Sequence, residues 1–288
     1  MLSVVRTLVD AAREAMRVPG EVRRHRPSPP VDGIVVEIGG GNNPHPRSDL
    51  VIDRYIADDF EREDSISLVK PLVVGDGHAL PLRDRSAAYV LTLHVLEHAT
   101  DPARFVEELA RVAPAGFAQV PSREAELTYG WPFHRWLIHL EGGTLVFEPK
   151  GTLRAPLSSF FHSDHAASTL HRLWWTAHLS RWLHSVEWRE RLDVRVIGTS
   201  DAEATAQLDI PATIDALDGF AAKGLLRPLP EELLAILACP VCRAQLRFEE
   251  RRALCTGCER EFPIAGGVPI LLEEAAVSRD GADSDRSG

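Results

Sequence analysis

Two apolar runs around a glycine cluster constrain this chain more than any other stretch. Val31–Asp53 reads VDGIVVEIGGGNNPHPRSDLVID: Ile34, Val35, Val36 and Ile38 lead into Gly39, Gly40 and Gly41, and a second apolar run ends in Asp53. Near-continuous apolar runs of this kind predict two buried parallel strands, with the glycines at the carboxyl end of the first. Open α/β sheets bind ligands at that end. An acid closing the second strand is placed to hold the ribose hydroxyls of a nucleoside cofactor. The cluster lacks the further glycine that opens a helix beneath a pyrophosphate, since Asn43 and Pro44 stand there. Only the ten residues Gly39–Ser48 separate the runs, and Pro44 and Pro46 oppose a full helix between them. A nucleoside without a phosphate suits this loop better than a dinucleotide.

The chain is long enough, at 288 residues, for one sizeable α/β domain and a small module. Its 44% apolar and 26% charged content is that of a soluble globular protein. No run has the length of a membrane span, and no signal-peptide core opens the chain, so a cytoplasmic enzyme is expected. A net charge of −10 argues against a broad phosphate-binding face. Only Lys70, Lys150 and Lys223 are lysines among the 32 basic residues, a bias that reports genome composition.

The wording E-I-G-G-G-N at Glu37–Asn42 resembles motif I of class I S-adenosylmethionine (SAM) methyltransferases. Past a third short strand, Leu72–Val74, comes Gly75-Asp76-Gly77-His78-Ala79-Leu80-Pro81-Leu82. The block Leu91–Val112, LTLHVLEHATDPARFVEELARV, spans the end of a fourth strand, Ala87–Leu93, and a helix that Asp101 caps with Pro102 behind it. Both blocks resemble the branch that includes quinone-biosynthesis methyltransferases. The resemblance implies a Rossmann-like α/β sheet with an antiparallel terminal hairpin, and SAM as the methyl donor. It also implies that Asp76 contacts the adenine amino group, with Glu37, Gly39, Gly41, Asp53, Gly77 and His78 completing the SAM site. His94, at the end of the fourth strand, is the expected catalytic base and His134 the second candidate, since an imidazole titrates near working pH. His94–His98 also matches H-x-x-E-H, a zinc-peptidase motif, but that motif needs a mid-helix setting and this one follows a strand. Glu97 and His98 are therefore read as structural.

A fifth strand is expected at Gly116–Pro121, and a hairpin at His134–Glu141 and Thr144–Pro149 around Gly142-Gly143. His134, Arg135 and Trp136 are candidate substrate-side residues. Phe160–Arg181 reads as a helical insert. His162, Asp164 and His165 stand at its start, either as a divalent-metal set or, the favoured reading, as a helix start capped by Ser163 or Asp164. Leu192–Ile197 looks like the last strand. Ahead of the core, Ser3–Val18 has helical spacing with arginines at 6, 13 and 17, and Arg26–Pro30 is a stiff linker. A helix packed on the core with solvated arginines is favoured there over a membrane-surface helix.

All four cysteines, Cys239, Cys242, Cys255 and Cys258, form two C-x-x-C knuckles, the spacing of a structural Zn²⁺ site. A closed tetrathiolate has no position for water and is not catalytic. Its surroundings, LLAILACPVC and FPIAGGVPILL, resemble the zinc-ribbon activator subunit of tRNA, rRNA and release-factor methyltransferases. The expected organisation is an N-terminal helix and linker over 1–30, a methyltransferase domain over 31–200, a linker and helix over 201–230, a zinc ribbon over 231–273 and a disordered tail over 274–288. The ribbon is expected to contact the catalytic domain within the chain and to stabilise it. Methylases of base or glutamine amides show D/N-P-P-Y/F after the fourth strand, where this chain has Leu93-His94-Val95-Leu96. A hydroxyl on a small-molecule acceptor, preferably a saccharide or secondary metabolite, is therefore the first reading. A tRNA-modifying methyltransferase and a non-catalytic SAM-binding scaffold are the alternatives.

Overall fold

The computed structural model describes residues 2–62, 64–151, 155–200 and 206–278. The two opening apolar runs become Val35–Ile38 (β1) and Leu50–Asp53 (β2), buried along their whole length and paired in parallel. Leu72–Gly75 (β3) lies beside β2, and Tyr89–Leu93 (β4) lies on the other side of β1. Ala115–Pro121 (β5) follows β4 in parallel. The spatial order β3-β2-β1-β4-β5 reverses direction at β1, so a crevice opens at the carboxyl ends of β1 and β4.

Leu2–Arg24 (α1) precedes the sheet and packs against the helical insert: Arg24 donates to Ser180 Oγ at 3.0 Å, and Glu21 Oε2 accepts from the Ser180 amide at 2.7 Å. Pro102–Val112 (α2) is capped by Asp101, whose side chain accepts from the Arg104 amide, with Pro102 at the first helical position. Its buried face, Phe105, Val106, Leu109 and Val112, completes the core on one side of the sheet. Arg123–Tyr129 (α3) follows, capped by Ser122.

The Gly-Gly hairpin forms between Trp136–Glu141 (β6) and Thr144–Pro149 (β7), both glycines taking positive φ as a tight two-residue turn requires. The hairpin belongs to a second, three-stranded sheet. The helical insert is broken in three, Ser158–Ala167 (α4), Thr169–Ala177 (α5) and Leu179–Trp182 (α6). The strand that closes the main sheet is Leu183–Arg189 (β8), antiparallel to β5 over seven residue pairs. The expected last strand is Val194–Val196 (β9), and it pairs with β7 instead. His184 and Ser185 interrupt the apolar pattern of β8, so its strand character rests on pairing with β5 and on the burial of Trp188.

Ile210–Ala222 (α7), capped by Asp209, and Glu231–Ile236 (α8) lead into the cysteine-bearing region. There Leu246–Phe248 (β10), Arg252–Cys255 (β11), Arg260–Ala265 (β12) and Val268–Leu271 (β13) form an antiparallel meander. Its last member, β13, pairs in parallel with β3, Ile270 opposite Val74 and Leu271 opposite Gly75. One sheet therefore runs from β10 to β8, and the ribbon covers the edge that β3 would otherwise expose. The segment read as a tail begins ordered: Val277–Ser278 (β14) pairs with β12. The remainder, 279–288, lies outside the described residues.

Candidate active site

The glycine cluster turns sharply at the carboxyl end of β1. Gly39 and Gly41 have φ of +68° and +51°, a left-handed conformation that side chains resist. A Cβ on Gly39 would stand 2.6 Å from Val95 Cγ2, so the loop is pressed against the end of β4. Glu37 is buried and its Oε2 accepts from the His45 amide at 2.7 Å and from Ser48 Oγ at 2.5 Å. Burial raises its carboxyl pKa against the opposing Ser48 contact. That oxygen holds the loop from beneath, which makes Glu37 a positioning residue.

Asp53 closes β2 and is 7% exposed. Its Oδ1 accepts from the Tyr55 amide and from Arg62 Nη2, both at 3.1 Å. Burial raises this carboxyl's pKa, with Arg62 and the surrounding amides, Gly41 among them, acting in the opposite sense. Asp53 thus faces the glycine loop on one side and a guanidinium on the other.

Asp76 is a hub. Its Oδ2 accepts from Arg54 at 2.5 Å, and its Oδ1 faces both the amide and Nδ1 of His78 at 2.8 Å. Arg54 reaches on to Glu274 in the C-terminal segment, also at 2.5 Å. Burial raises the Asp76 pKa, but His78 and Arg54 outweigh it and hold the carboxyl down at about 2. Its two neighbours also face the start of α2. A Cβ on Gly77 would lie 2.0 Å from the Phe105 ring, and His78 sits edge-on to that ring with Nε2 toward the Asp101 amide. Gly77 and His78 thus join helix to strand, with His78 keeping its contact to Asp76.

His94 follows β4 in a left-handed conformation, φ +57°, uncommon for a residue with a side chain. Its imidazole is 47% exposed, with Nδ1 3.4 Å from Oε1 of the fully buried Glu97. A 3-10 turn, Leu96–His98, brings Glu97 and His98 under it. His134 arrives from the turn before β6, edge-on to His98 and stacked on Trp131. His134 is buried, which drives its imidazole pKa well below the usual value, and its Nδ1 bonds Glu126 Oε1. Glu126 Oε2 pairs with Lys150 at 2.7 Å; burial lifts the Glu126 carboxyl to about 7 even against that lysine. His134 therefore stands behind His94 in a closed network. Two further expectations change. Trp136 is a core residue whose Nε1 donates to Ala99 O at 2.7 Å, and Arg135 is buried. In the insert, α4 begins at Ser158, so neither Ser163 nor Asp164 caps it, and Asp164 pairs with His171. His162, Asp164 and His165 form no metal-ligand set among the described residues.

Glu61, Glu126, Lys150 and Phe133 are not singled out for the site by sequence, and Glu97 and His98 are read there as structural. The H-x-x-E-H match at His94–His98 is the local signal for Glu97 and His98; the other carboxylates gain meaning only from the partners that folding brings.

In the ribbon, the four cysteine Sγ atoms lie within 4.8 Å of one another, and Cys242 and Cys255 approach to 3.3 Å. Four sulfur donors so placed fit a structural Zn²⁺. The knuckle is tied to the catalytic core, since the Ala238 amide donates to Pro81 O at 3.0 Å and Arg243 reaches Glu108 on α2 at 3.1 Å. The glycine cradle, which a Cβ would obstruct, and the two acids at the ends of β2 and β3 fit a nucleoside such as SAM.

Comparison with known proteins gives two separate matches. A family model described as a methyltransferase domain matches residues 54–118. A UPF0434 protein of Hahella chejuensis is 42% identical over 50 residues, 17% of this chain and 83% of that protein. One of Bordetella pertussis is 43% identical over 54 residues, 18% of this chain and 87% of its own length. Among solved structures, a complex of the Haloferax volcanii Trm112 methyltransferase activator with a methyltransferase has a TM-score of 0.34 at 18% identity, covering 62% of this chain and 96% of that one. A SAM-dependent methyltransferase of Thermotoga maritima has a TM-score of 0.28 at 15% identity, covering 59% of this chain and 68% of that one. The methyltransferase domain makes this chain a SAM-dependent methyltransferase. No helix among the described residues is long and apolar enough to cross a membrane.

Proposed function

Over that 50-residue segment the chain belongs to the UPF0434 protein family, and from its methyltransferase domain and the half-exposed His94 we propose O-methylation of a small-molecule acceptor, a saccharide or other secondary metabolite preferred. SAM, when bound, supplies an electrophilic methyl group. The chain's own residues would do the rest. The Gly39–Gly41 turn leaves room for the cofactor, with Asp53 directed to the ribose in exchange for Arg62. Asp76 defines the adenine end through its Arg54 and His78 contacts. His94 would accept the acceptor's proton, with buried Glu97 behind Nδ1 favouring the imidazolium that results.

The observation that carries this reading is His94 itself, a half-exposed imidazole at the carboxyl end of β4, next in the chain to the Val95 that packs against Gly39. The aromatic rings of Phe60, Phe133 and His98 in contact nearby suit an apolar or ring-bearing acceptor. The ribbon resemblance favours a second reading, tRNA modification, against which stand the net charge of −10 and the missing D/N-P-P-Y/F turn. Methyl-labelled SAM incubated with separated small-molecule, RNA and protein fractions decides between them. Label in the small-molecule fraction, lowered about 100-fold or more by His94→Ala, is expected. Label in RNA selects the second reading, SAM binding without transfer selects a scaffold, and full turnover by His94→Ala removes His94 as the base.

A further inference from the structure

Glu97 is 0% exposed, and among the described residues neither carboxylate oxygen accepts a hydrogen bond of ordinary geometry. His94 Nδ1 faces Oε1 as an ion-pair partner at 3.4 Å, and the turn's backbone is satisfied separately by the Arg135 amide on Glu97 O. A buried carboxylate with open lone pairs calls for a cation. Two imidazoles converge on it. Ligand atoms of Glu97, His98 and His134 all lie within 4.8 Å of one another.

Each histidine has a carboxylate behind its other ring nitrogen. His134 Nδ1 bonds Glu126 Oε1, and Glu126 is anchored in turn by Lys150. His98 Nδ1 stands 3.0 Å from Glu61 Oε2. Carboxylates that orient and polarise histidines from behind are the usual outer layer of a metal site. Phe133 stacks on His98 and Trp131 on His134, fixing both rings.

We propose that Glu97, His98 and His134 bind one divalent transition-metal ion at the acceptor end of the cleft, distinct from the four-cysteine site. Two imidazoles and a carboxylate suit Mn²⁺, Fe²⁺, Co²⁺ or Zn²⁺, and three protein ligands leave positions open. Glu97 also faces His94, so an ion held there would be placed to take the acceptor's oxygen as a ligand. This use of the ion rests on the methyl-transfer reading above; the site itself does not. Binding as a metal-held alkoxide lowers the acceptor's pKa. The proton passes to His94, the oxygen lone pair forms the O–CH3 bond, and the S–CH3 bonding pair leaves with the sulfur, which becomes neutral. The preferred acceptor is then one with two adjacent oxygens, such as a vicinal diol or catechol, able to chelate.

The test is equilibrium dialysis of the full-length, zinc-containing protein against Mn²⁺ or Co²⁺, with total metal counted by mass spectrometry. One equivalent per chain beyond the ribbon's zinc is expected, with broadening of the His98 and His134 ring resonances by Mn²⁺. Glu97→Gln and His98→Asn are each expected to lose the added equivalent while keeping the ribbon's zinc, and Glu126→Gln to weaken it about 10–100-fold. No added equivalent in the wild type, or an unchanged one in both ligand variants, overturns the site. Where a variant fails to fold, the wild-type stoichiometry and the identity of the broadened histidines decide. SAM affinity, measured in parallel by calorimetry, separates the two readings. An ion bound without SAM binding defeats the methyl-transfer reading alone, and SAM bound without the ion defeats the site alone.

Discussion

Asp53 and Asp76 sit at corresponding strand ends and are handled differently by their surroundings. Asp76 meets Arg54 and His78, which override burial and hold its carboxyl at about 2 instead of 3.8. A carboxyl depressed on folding adds stability that is present above its unfolded pKa and is lost as pH falls from 3.8 towards 2. Asp76→Asn should therefore cost about 2 kcal/mol at neutral pH, with the difference from wild type vanishing below that window, as read by denaturant titrations at stepped pH. The difference between the two proteins carries the result, because acid releases thiolate-bound zinc from both. Asp53 is raised by burial, so its carboxylate is poorly solvated and gains from any new donor. Asp53→Ala should weaken SAM about 10–100-fold by calorimetry, the loss of one or two hydrogen bonds to a charged group. An unchanged affinity removes Asp53 from the cofactor site.

Among elements, the joint between β3 and α2 carries a sharp steric demand. Gly77 admits the Phe105 ring where a Cβ would be 2.0 Å away, and Phe105 belongs to the buried face of α2. Gly77→Ala should lower stability by about 1–3 kcal/mol, and Phe105→Leu in the same chain should return part of it. Thermal melts of the two variants check this; additive losses would mean that the ring is not the obstacle. The elements legible in sequence were those whose own residues state their ends: β1 and β2 with their glycines, α2 with Asp101 and Pro102, and the β6–β7 turn with its two glycines. Strand β8 was not, because His184 and Ser185 hide its period and its partner β5 lies far back in the chain.

At the scale of the whole molecule, the ribbon is a continuation of the catalytic sheet. Strand β13 pairs with β3, and Leu233, Leu237, Leu246 and Phe262 join the same core as Val36, Val73 and Leu109. Structural zinc contributes roughly 10–16 kcal/mol to the folding of such a module. Chelation or Cys239→Ser should therefore lower the melting temperature of the entire chain in one transition and weaken SAM binding through the lost Glu274–Arg54–Asp76 chain. Two separate transitions in calorimetry, with SAM affinity intact, would make the ribbon an independent appendage. By itself the sequence determined the parallel strands, the glycine turn after β1 and the four-cysteine cluster, since each depends on residues close together whose spacing dictates local geometry. Tertiary structure alone decided that β13 completes the sheet and that His134, Lys150 and Glu126 gather behind Glu97 and His98. Those pairings join segments distant in the chain, and what a buried charge faces is set by packing between elements, which no local pattern encodes.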